Sequence, residues 1–340
     1  MNLSISNSSR SILRYARDVA LFTILQGIVG GFVLYHYPVG TNLYYASSSS
    51  KHQRLMDAPS PRMIFIGGSS MGFGLDSPMV REQLGYEPIN MGLHGRLGAT
   101  FMINEVKDHV RAGDVVILGL EIPLLAYQDR GLEMRFMLEH RRDAIRYLNW
   151  EQTRFLLDST LIYLGGITRG AVRHLQGKPV DVGWVPPLTR NIFNEYGDVT
   201  LHRNMKQPVI TQSVQKFHID PGYQKKIRKL LQSFSSHCHE RNARIFFTHS
   251  PVMSTHFEQT SEIFYEIDGW LRENISVQIL NDPRDLAYPP ECFFDTPYHL
   301  WGDAIFDRTQ RLIDRLRPYL EEDGPETPSL PGNEVIIQSE

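Results

Sequence analysis

Two serines lie at the predicted end of a β-strand, where a catalytic nucleophile could be placed. Residues 67–70 read Gly-Gly-Ser-Ser and directly follow the apolar run Met-Ile-Phe-Ile. A short, continuous apolar run is typical of a strand that is buried on both faces. A serine at the end of such a strand, Ser69 or Ser70, is either ordinary turn chemistry or a nucleophile, and a nucleophilic serine needs a base to take its proton.

A base and its partner could come from the far end of the chain. Residues 293–303 read FFDTPYHLWGD, and they place Asp295 and His299 on one predicted loop before the last helix. Imidazole suits the role of base near neutral pH, and a carboxylate on its other nitrogen selects the tautomer. Two plainer interpretations stay open, because aspartate is common in turns and the backbone can satisfy a histidine at a helix N-terminus.

A further glycine-containing stretch, Asn-Met-Gly-Leu-His-Gly at 90–95, follows the second predicted strand. Glycine lets the backbone approach a substrate closely and turn an N–H group toward it. Such donors stabilise the oxyanion of an acyl-transfer reaction, each by on the order of 3 kcal/mol. Gly92 and Gly95 could equally be tight-turn residues, and His94 between them is predicted to be a packing or substrate contact.

Strands and helices alternate from residue 61 onward, which predicts an α/β fold with a parallel central sheet and helices on both faces. In such a fold the loops that follow the strands meet at one edge of the sheet, where ligands bind. His249 follows a later predicted strand, and it is either a substrate contact at this edge or an ordinary loop histidine. Residues 121–221 interrupt the alternation and are predicted to form a long, mostly helical insertion, a cap or substrate-facing lobe.

Residues 19–37 carry no charged side chain and are long enough to cross a bilayer. Arg10, Arg14 and Arg17 precede them, and the next basic residue is Lys51, which predicts a cytoplasmic N-terminus and an extracytoplasmic body. A cleaved signal peptide and a buried core helix are the alternatives. The predicted organisation is a cytoplasmic N-terminus (1–18), a transmembrane anchor (19–37), a linker (38–60), a folded α/β domain (61–320, with the insertion 121–221) and a disordered tail (321–340).

Composition excludes other classes of function. The 340 residues have a formal net charge of −3, so nothing in the overall charge favours a nucleic-acid partner. The two cysteines are too few for a disulfide framework, and whether they pair stays open. His237 and His239 alternate on a predicted helix and therefore face different ways, so no metal site is expected, and the chemistry outlined above requires no cofactor.

The motifs FIGGSS, NMGLHG and DTPYHL together resemble the first, second and last blocks of the SGNH (GDSL-type) hydrolases. The resemblance covers roughly residues 60–125 and 240–318. It implies a flavodoxin-like three-layer α/β/α sandwich that hydrolyses or transfers acyl groups, with Ser70 as nucleophile, His299 as base and Asp295 as its partner. It also implies that the backbone N–H groups of Ser70 and Gly95 form the oxyanion hole.

Two positions depart from the family pattern. Glu121 stands where the third block normally ends in an asparagine that completes the oxyanion hole, and a carboxylate there would repel an oxyanion. It either points away or has another role, such as a substrate contact. The spacing between Asp295 and His299 is also one residue longer than usual, with Pro297 inside it.

The anchor and the relaxed third block are similar to those of membrane-anchored family members that help to O-acylate cell-envelope polymers. The expected function is therefore that of a serine O-acyltransferase or acyl esterase acting on a cell-surface polysaccharide. It would work at the periplasmic face of a bacterial inner membrane, and its partner could be a multi-spanning membrane acyltransferase. A lipid-directed esterase and a catalytically inactive carbohydrate-binding or assembly factor are the alternatives.

Overall fold

The computed structural model describes residues 7–36, 43–127, 131–177, 192–208, 210 and 217–321. The α-helices are α1 (Asn7–His36), α2 (Leu43–Asp57), α3 (Ser69–Phe73), α4 (Ser77–Leu84), α5 (Ala99–Lys107), α6 (Ile122–Ala126), α7 (Glu133–His140), α8 (Trp150–Asp158), α9 (Thr160–Leu175), α10 (Pro221–Glu240), α11 (Ser254–Asn274) and α12 (Ala304–Glu321). The strands are β1 (Arg62–Gly67), β2 (Glu87–Asn90), β3 (Val115–Gly119), β4 (Arg244–Phe247), β5 (Val252–Met253), β6 (Gln278–Ile279) and β7 (Ala287–Tyr288).

The central sheet has five strands in the order β2-β1-β3-β4-β6, and every pair of neighbours is parallel. β5 and β7 form a separate parallel pair. The predicted α/β fold with a parallel central sheet is confirmed. Because all five strands point the same way, the loops after β1, β2, β3 and β4 open at one edge of the sheet.

Both faces of the sheet are packed by helices, which explains why its middle strands are apolar throughout. Met63 and Phe65 of β1 face a core with α4 and α12, whereas Ile64 and Ile66 face a second core with α2, α5, α10 and α11. All four side chains are fully buried, and each contributes about 2 kcal/mol through the hydrophobic effect.

The predicted linker at 38–60 is wrong for most of its length. Residues 43–57 form α2, and Tyr44, Tyr45 and Leu55 are buried in the core. The run of serines suggested a linker because serine has low helix propensity, but Ser47 and Ser48 are buried. The segment is therefore an integral part of the domain.

Over its described residues, the insertion 121–221 contains the helices α6 to α9. Its later part, 192–208, lies at the edge of the sheet at which the strands end. There Val199 N donates a hydrogen bond of 2.8 Å to Gly72 O. Cys238 and Cys292 are both free thiols.

At the N-terminus, residues 7–36 form the single helix α1. Among the residues that the structure describes, no helix has a stretch that is both long and apolar enough to cross a membrane. In the predicted anchor 19–37, side chains are described only up to residue 30. The predicted tail after Glu321 lies outside the described residues.

Candidate functional site

Ser70 lies at the start of the short helix α3, directly after β1, and its side chain is buried. Two close approaches explain the paired glycines before it. A Cβ atom on Gly67 would lie 2.5 Å from the carbonyl oxygen of Gly119, and one on Gly68 would lie 2.4 Å from the carboxylate of Glu121. A larger residue at Gly67 would clash with the backbone of β3, and one at Gly68 would displace the Glu121 carboxylate from the turn.

The Glu121 carboxylate is held against this turn by two backbone hydrogen bonds. Gly68 N donates to Oε2 at 3.0 Å, and Ser70 N donates to Oε1 at 3.1 Å. Glu121 is only 7% exposed and follows β3, the neighbour of β1 in the sheet. It therefore points into the site, and the Ser70 N–H group, the predicted oxyanion donor, is engaged by a carboxylate.

The hydroxyl of Ser70 is engaged by a second serine that the sequence motifs did not indicate. Ser70 Oγ donates to Ser250 Oγ at 3.2 Å, and Ser250 Oγ donates to Gly119 O at 3.3 Å. Ser250 follows β4 in the stretch Thr-His-Ser-Pro, and it is buried. Its position after a sheet strand was the signal that could have identified it.

Asp295 and His299 form the predicted pair. His299 Nδ1 lies 2.6 Å from Asp295 Oδ1, and both side chains are largely buried. The loop between them closes through His299 N, which donates to the Thr296 side chain at 3.2 Å, and through Phe294 N, which donates to His299 O at 2.8 Å. This tight loop absorbs the additional residue, so the longer spacing does not separate the carboxylate from the imidazole.

Phe73 connects the two halves of the site. It is the last residue of α3, the helix that carries Ser70, and its ring stacks on the His299 ring with centroids 4.0 Å apart and planes within 5°. Within the described residues no hydrogen bond joins Ser70 Oγ to His299. The imidazole therefore lies beside the helix of the serine, while the serine hydroxyl is turned toward Ser250.

The loop after β2 approaches the same helix. A Cβ on Gly92 would lie 2.6 Å from the backbone nitrogen of Gly72, so the loop packs directly on α3. Gly95 begins a short 3₁₀ helix with open space beside its Cα, and among the described contacts its N–H has no hydrogen-bond acceptor. The Tyr44 hydroxyl of α2 donates to the Leu93 carbonyl and fixes this loop.

Two tyrosines near the site, Tyr44 and Tyr298, have raised pKa values. Burial, followed by the charges of Asp295 and Glu121, raises the pKa of the Tyr44 phenol. Burial, followed by the charges of Glu121 and Tyr127, also raises the pKa of Tyr298. Both phenols therefore remain neutral hydrogen-bond donors near the Glu121 carboxylate.

The two histidines predicted as contacts have different surroundings. His94 is partly exposed and its Nδ1 accepts a hydrogen bond from Arg96 N at 3.2 Å, as part of the loop that carries Gly95. His249 is only 2% exposed, and its Nε2 lies 2.8 Å from Asp268, which also accepts from Arg272. The ring of His249 is turned into the protein, which fits the interpretation of an ordinary loop histidine better than that of a substrate contact.

No group of three or more histidine, cysteine or acidic side chains in the described part of the chain is arranged to hold a metal ion. The residues that come together are instead a serine, a histidine–aspartate pair and backbone N–H groups, which suit acyl chemistry. A comparison with protein-family models finds no match, and neither does a comparison with curated proteins.

Proposed function

We propose that this protein is a serine esterase or O-acyltransferase of the SGNH type. The observation that carries the proposal is the Asp295–His299 pair, whose imidazole stacks on the ring of Phe73, the last residue of the helix that carries Ser70. The strand order β2-β1-β3-β4-β6 supports it further, since it corresponds to the flavodoxin-like order of that superfamily.

The proposed reaction proceeds through an acyl-serine. Ser70 Oγ attacks the acyl carbonyl carbon while its proton passes to His299 Nε2, and Asp295 holds the proton on Nδ1. The C–O bond to the leaving alcohol then breaks, and that oxygen takes the proton from His299. A sugar hydroxyl or water next attacks the acyl-serine, gives its proton to His299, and the Ser70 oxygen leaves with a proton regained from His299.

Two contacts must change before this reaction can proceed. The Ser70 hydroxyl has to leave Ser250 and turn toward the imidazole. The Glu121 carboxylate has to release Ser70 N, so that this N–H and that of Gly95 can bind the oxyanion. Catalytic hydrogen bonds are commonly long or misaligned without substrate, so this resting arrangement is compatible with catalysis.

The acceptor and the location of the protein are proposed from the sequence alone. The uncharged segment 19–37 and the three arginines before it support a membrane anchor with the domain outside the cytoplasm. An extracytoplasmic enzyme of this kind has a cell-surface glycan as its natural acyl acceptor. Acyl groups would then reach it through a multi-spanning membrane acyltransferase.

The test is turnover of p-nitrophenyl acetate by the purified full chain and by its Ser70→Ala variant. The expected result is a burst of nitrophenol and an acetyl group on the Ser70 peptide in mass spectrometry, both lost in the variant. Ser69→Ala is the matched control, because Ser69 is the adjacent, partly exposed hydroxyl on the same helix. Equal turnover by the Ser70→Ala and Ser69→Ala variants would contradict the assignment of the nucleophile.

A second candidate function is binding without catalysis on the same fold. It is favoured by the two engaged groups of Ser70, whose N–H contacts Glu121 and whose hydroxyl contacts Ser250. This candidate predicts no burst from the wild-type chain, together with a saturable affinity for an acetylated oligosaccharide in calorimetry.

A further inference from the structure

The later part of the insertion, residues 192–208, binds both halves of the candidate site, and we call it the strap. On the side of the serine, Arg203 forms an ion pair with Asp76 at 2.6 Å and donates to Leu75 O at 2.9 Å. The Asp198 carboxylate accepts hydrogen bonds from Ser77 N at 2.8 Å and Ser77 Oγ at 2.7 Å. These contacts fix the strap to the chain just after α3.

On the side of the base, the strap contacts the loop that carries Asp295 and His299. His202 Nε2 lies 3.0 Å from the carbonyl oxygen of Leu300, the residue directly after His299. Farther along, the Gln207 side chain donates to Glu291 O at 3.2 Å and also to Phe293 O. The strap therefore joins two segments that are more than two hundred residues apart in the chain.

His202 lies at the centre of this connection and is completely buried. Its ring packs against Phe73, with centroids 4.8 Å apart, and against Phe294, with centroids 5.4 Å apart. Phe73 also stacks on His299, so its phenyl ring is in contact with both imidazoles. Burial lowers the pKa of His202 to about 4, so the ring is neutral and its Nε2–H is the donor to Leu300 O.

We propose that His202 is a positioning residue, which sets the place of the His299 imidazole relative to the helix of Ser70 by holding the Leu300 carbonyl and the Phe73 ring. The inference rests on the proposed function, because it concerns the same site. The role of the insertion would then be to join the loop of His299 to α3. Without the strap, fewer direct contacts would connect the two, and the imidazole would be less well placed.

The variants separate the hydrogen bond from the packing. His202→Phe keeps a flat ring but has no donor for Leu300 O, whereas His202→Gln keeps an N–H that can reach that carbonyl. His202→Asn is polar but shorter, and it serves in place of the phenylalanine variant if that variant does not fold. Leu231→Ala on α10 is the control for loss of stability alone, since Leu231 is a core side chain that is 1% exposed.

Two measurements are made on the full chain with each variant. The first is kcat and KM for p-nitrophenyl acetate, per site titrated with a fluorophosphonate, across the pH range. The second is the low-field NMR resonance of the His299 Nδ1 proton, identified by its loss in His299→Gln. The resonance reports the imidazole directly, so it tests the inference even if the wild-type chain has no turnover and the proposed function fails.

The expected result for His202→Phe is a fall in kcat of roughly 10- to 100-fold with KM little changed, as for a reacting group displaced by about 1 Å. The apparent pKa of the rate profile and the His299 resonance should shift with it. His202→Gln should restore both to near wild type, and Leu231→Ala should leave both unchanged. An unchanged resonance in His202→Phe, or an equal shift in Leu231→Ala, would overturn the inference.

Discussion

Replacement of Glu121 by glutamine should lower stability and raise activity at the same time. The carboxylate accepts from Gly68 N and Ser70 N at 3.0 and 3.1 Å, and a glutamine has only one oxygen with which to replace two. One N–H would lose a charge-assisted hydrogen bond and face the amide NH₂ group instead. Because a buried hydrogen bond to a charged group contributes about 1.5–3 kcal/mol and an unpaired donor costs about 1–3 kcal/mol, the free energy of unfolding should fall by roughly 2–4 kcal/mol.

The gain in activity follows from the charge. The Glu121 carboxylate accepts from Ser70 N at 3.1 Å, so an oxyanion that takes its place on that N–H group lies close to the displaced carboxylate. Two like charges about 4 Å apart repel by about 4 kcal/mol at an effective dielectric constant of 20. Removal of the negative charge should therefore raise kcat for p-nitrophenyl acetate by at least tenfold, since 1.4 kcal/mol corresponds to about a factor of ten.

Urea unfolding and the ester assay measure the two effects separately. Asp114→Asn is the matched control, because Asp114 lies at the opposite end of β3 and forms a buried ion pair with Arg62. It should lower stability by about 3–5 kcal/mol without any gain in kcat per site. A fall in kcat for Glu121→Gln, with no fall for the control, would refute the reasoning and show that the carboxylate itself takes part in the reaction.

The remaining predictions concern Asp295 and the buried Lys51. Asp295→Asn keeps the size of the side chain but removes the carboxylate that lies 2.6 Å from His299. In the ester assay, kcat should therefore fall by roughly 10³- to 10⁴-fold. A fall of less than tenfold would contradict the role of Asp295. Burial lowers the pKa of Lys51 from 10.5 to about 7, so between these pH values the unfolded chain holds a proton that the folded chain does not. The wild type should therefore gain stability relative to Lys51→Met as the pH rises through this window, by at most about 1.4 kcal/mol per pH unit. The same difference in urea midpoint between the two proteins at pH 7 and at pH 9 would contradict this.

Several features of the fold could be predicted because neighbours in the chain encode them. The apolar run at 63–66 indicated a strand buried on both faces, and its two glycines indicated a tight passage into the next element. Asp295 and His299 could be paired because they lie on one short loop. In each case the contacts are local, so spacing along the sequence carries the information.

The mistaken linker shows where this local information ends. The serines of α2 have low helix propensity, and nothing within 43–57 reveals that Tyr44 and Leu55 are buried against the sheet. Helix formation there depends on tertiary packing of one face, which outweighs intrinsic propensity.

The amino-acid sequence by itself determined the alternation of strands and helices, the turn at Ser70 and the pairing of Asp295 with His299. Only the tertiary structure decided that Glu121 and Ser250 engage the two polar groups of Ser70, and that His202 contacts the loop of the base. These contacts join residues between 51 and 180 positions apart. Their formation depends on strand order and on the closure of long loops, and no spacing within a single segment specifies either.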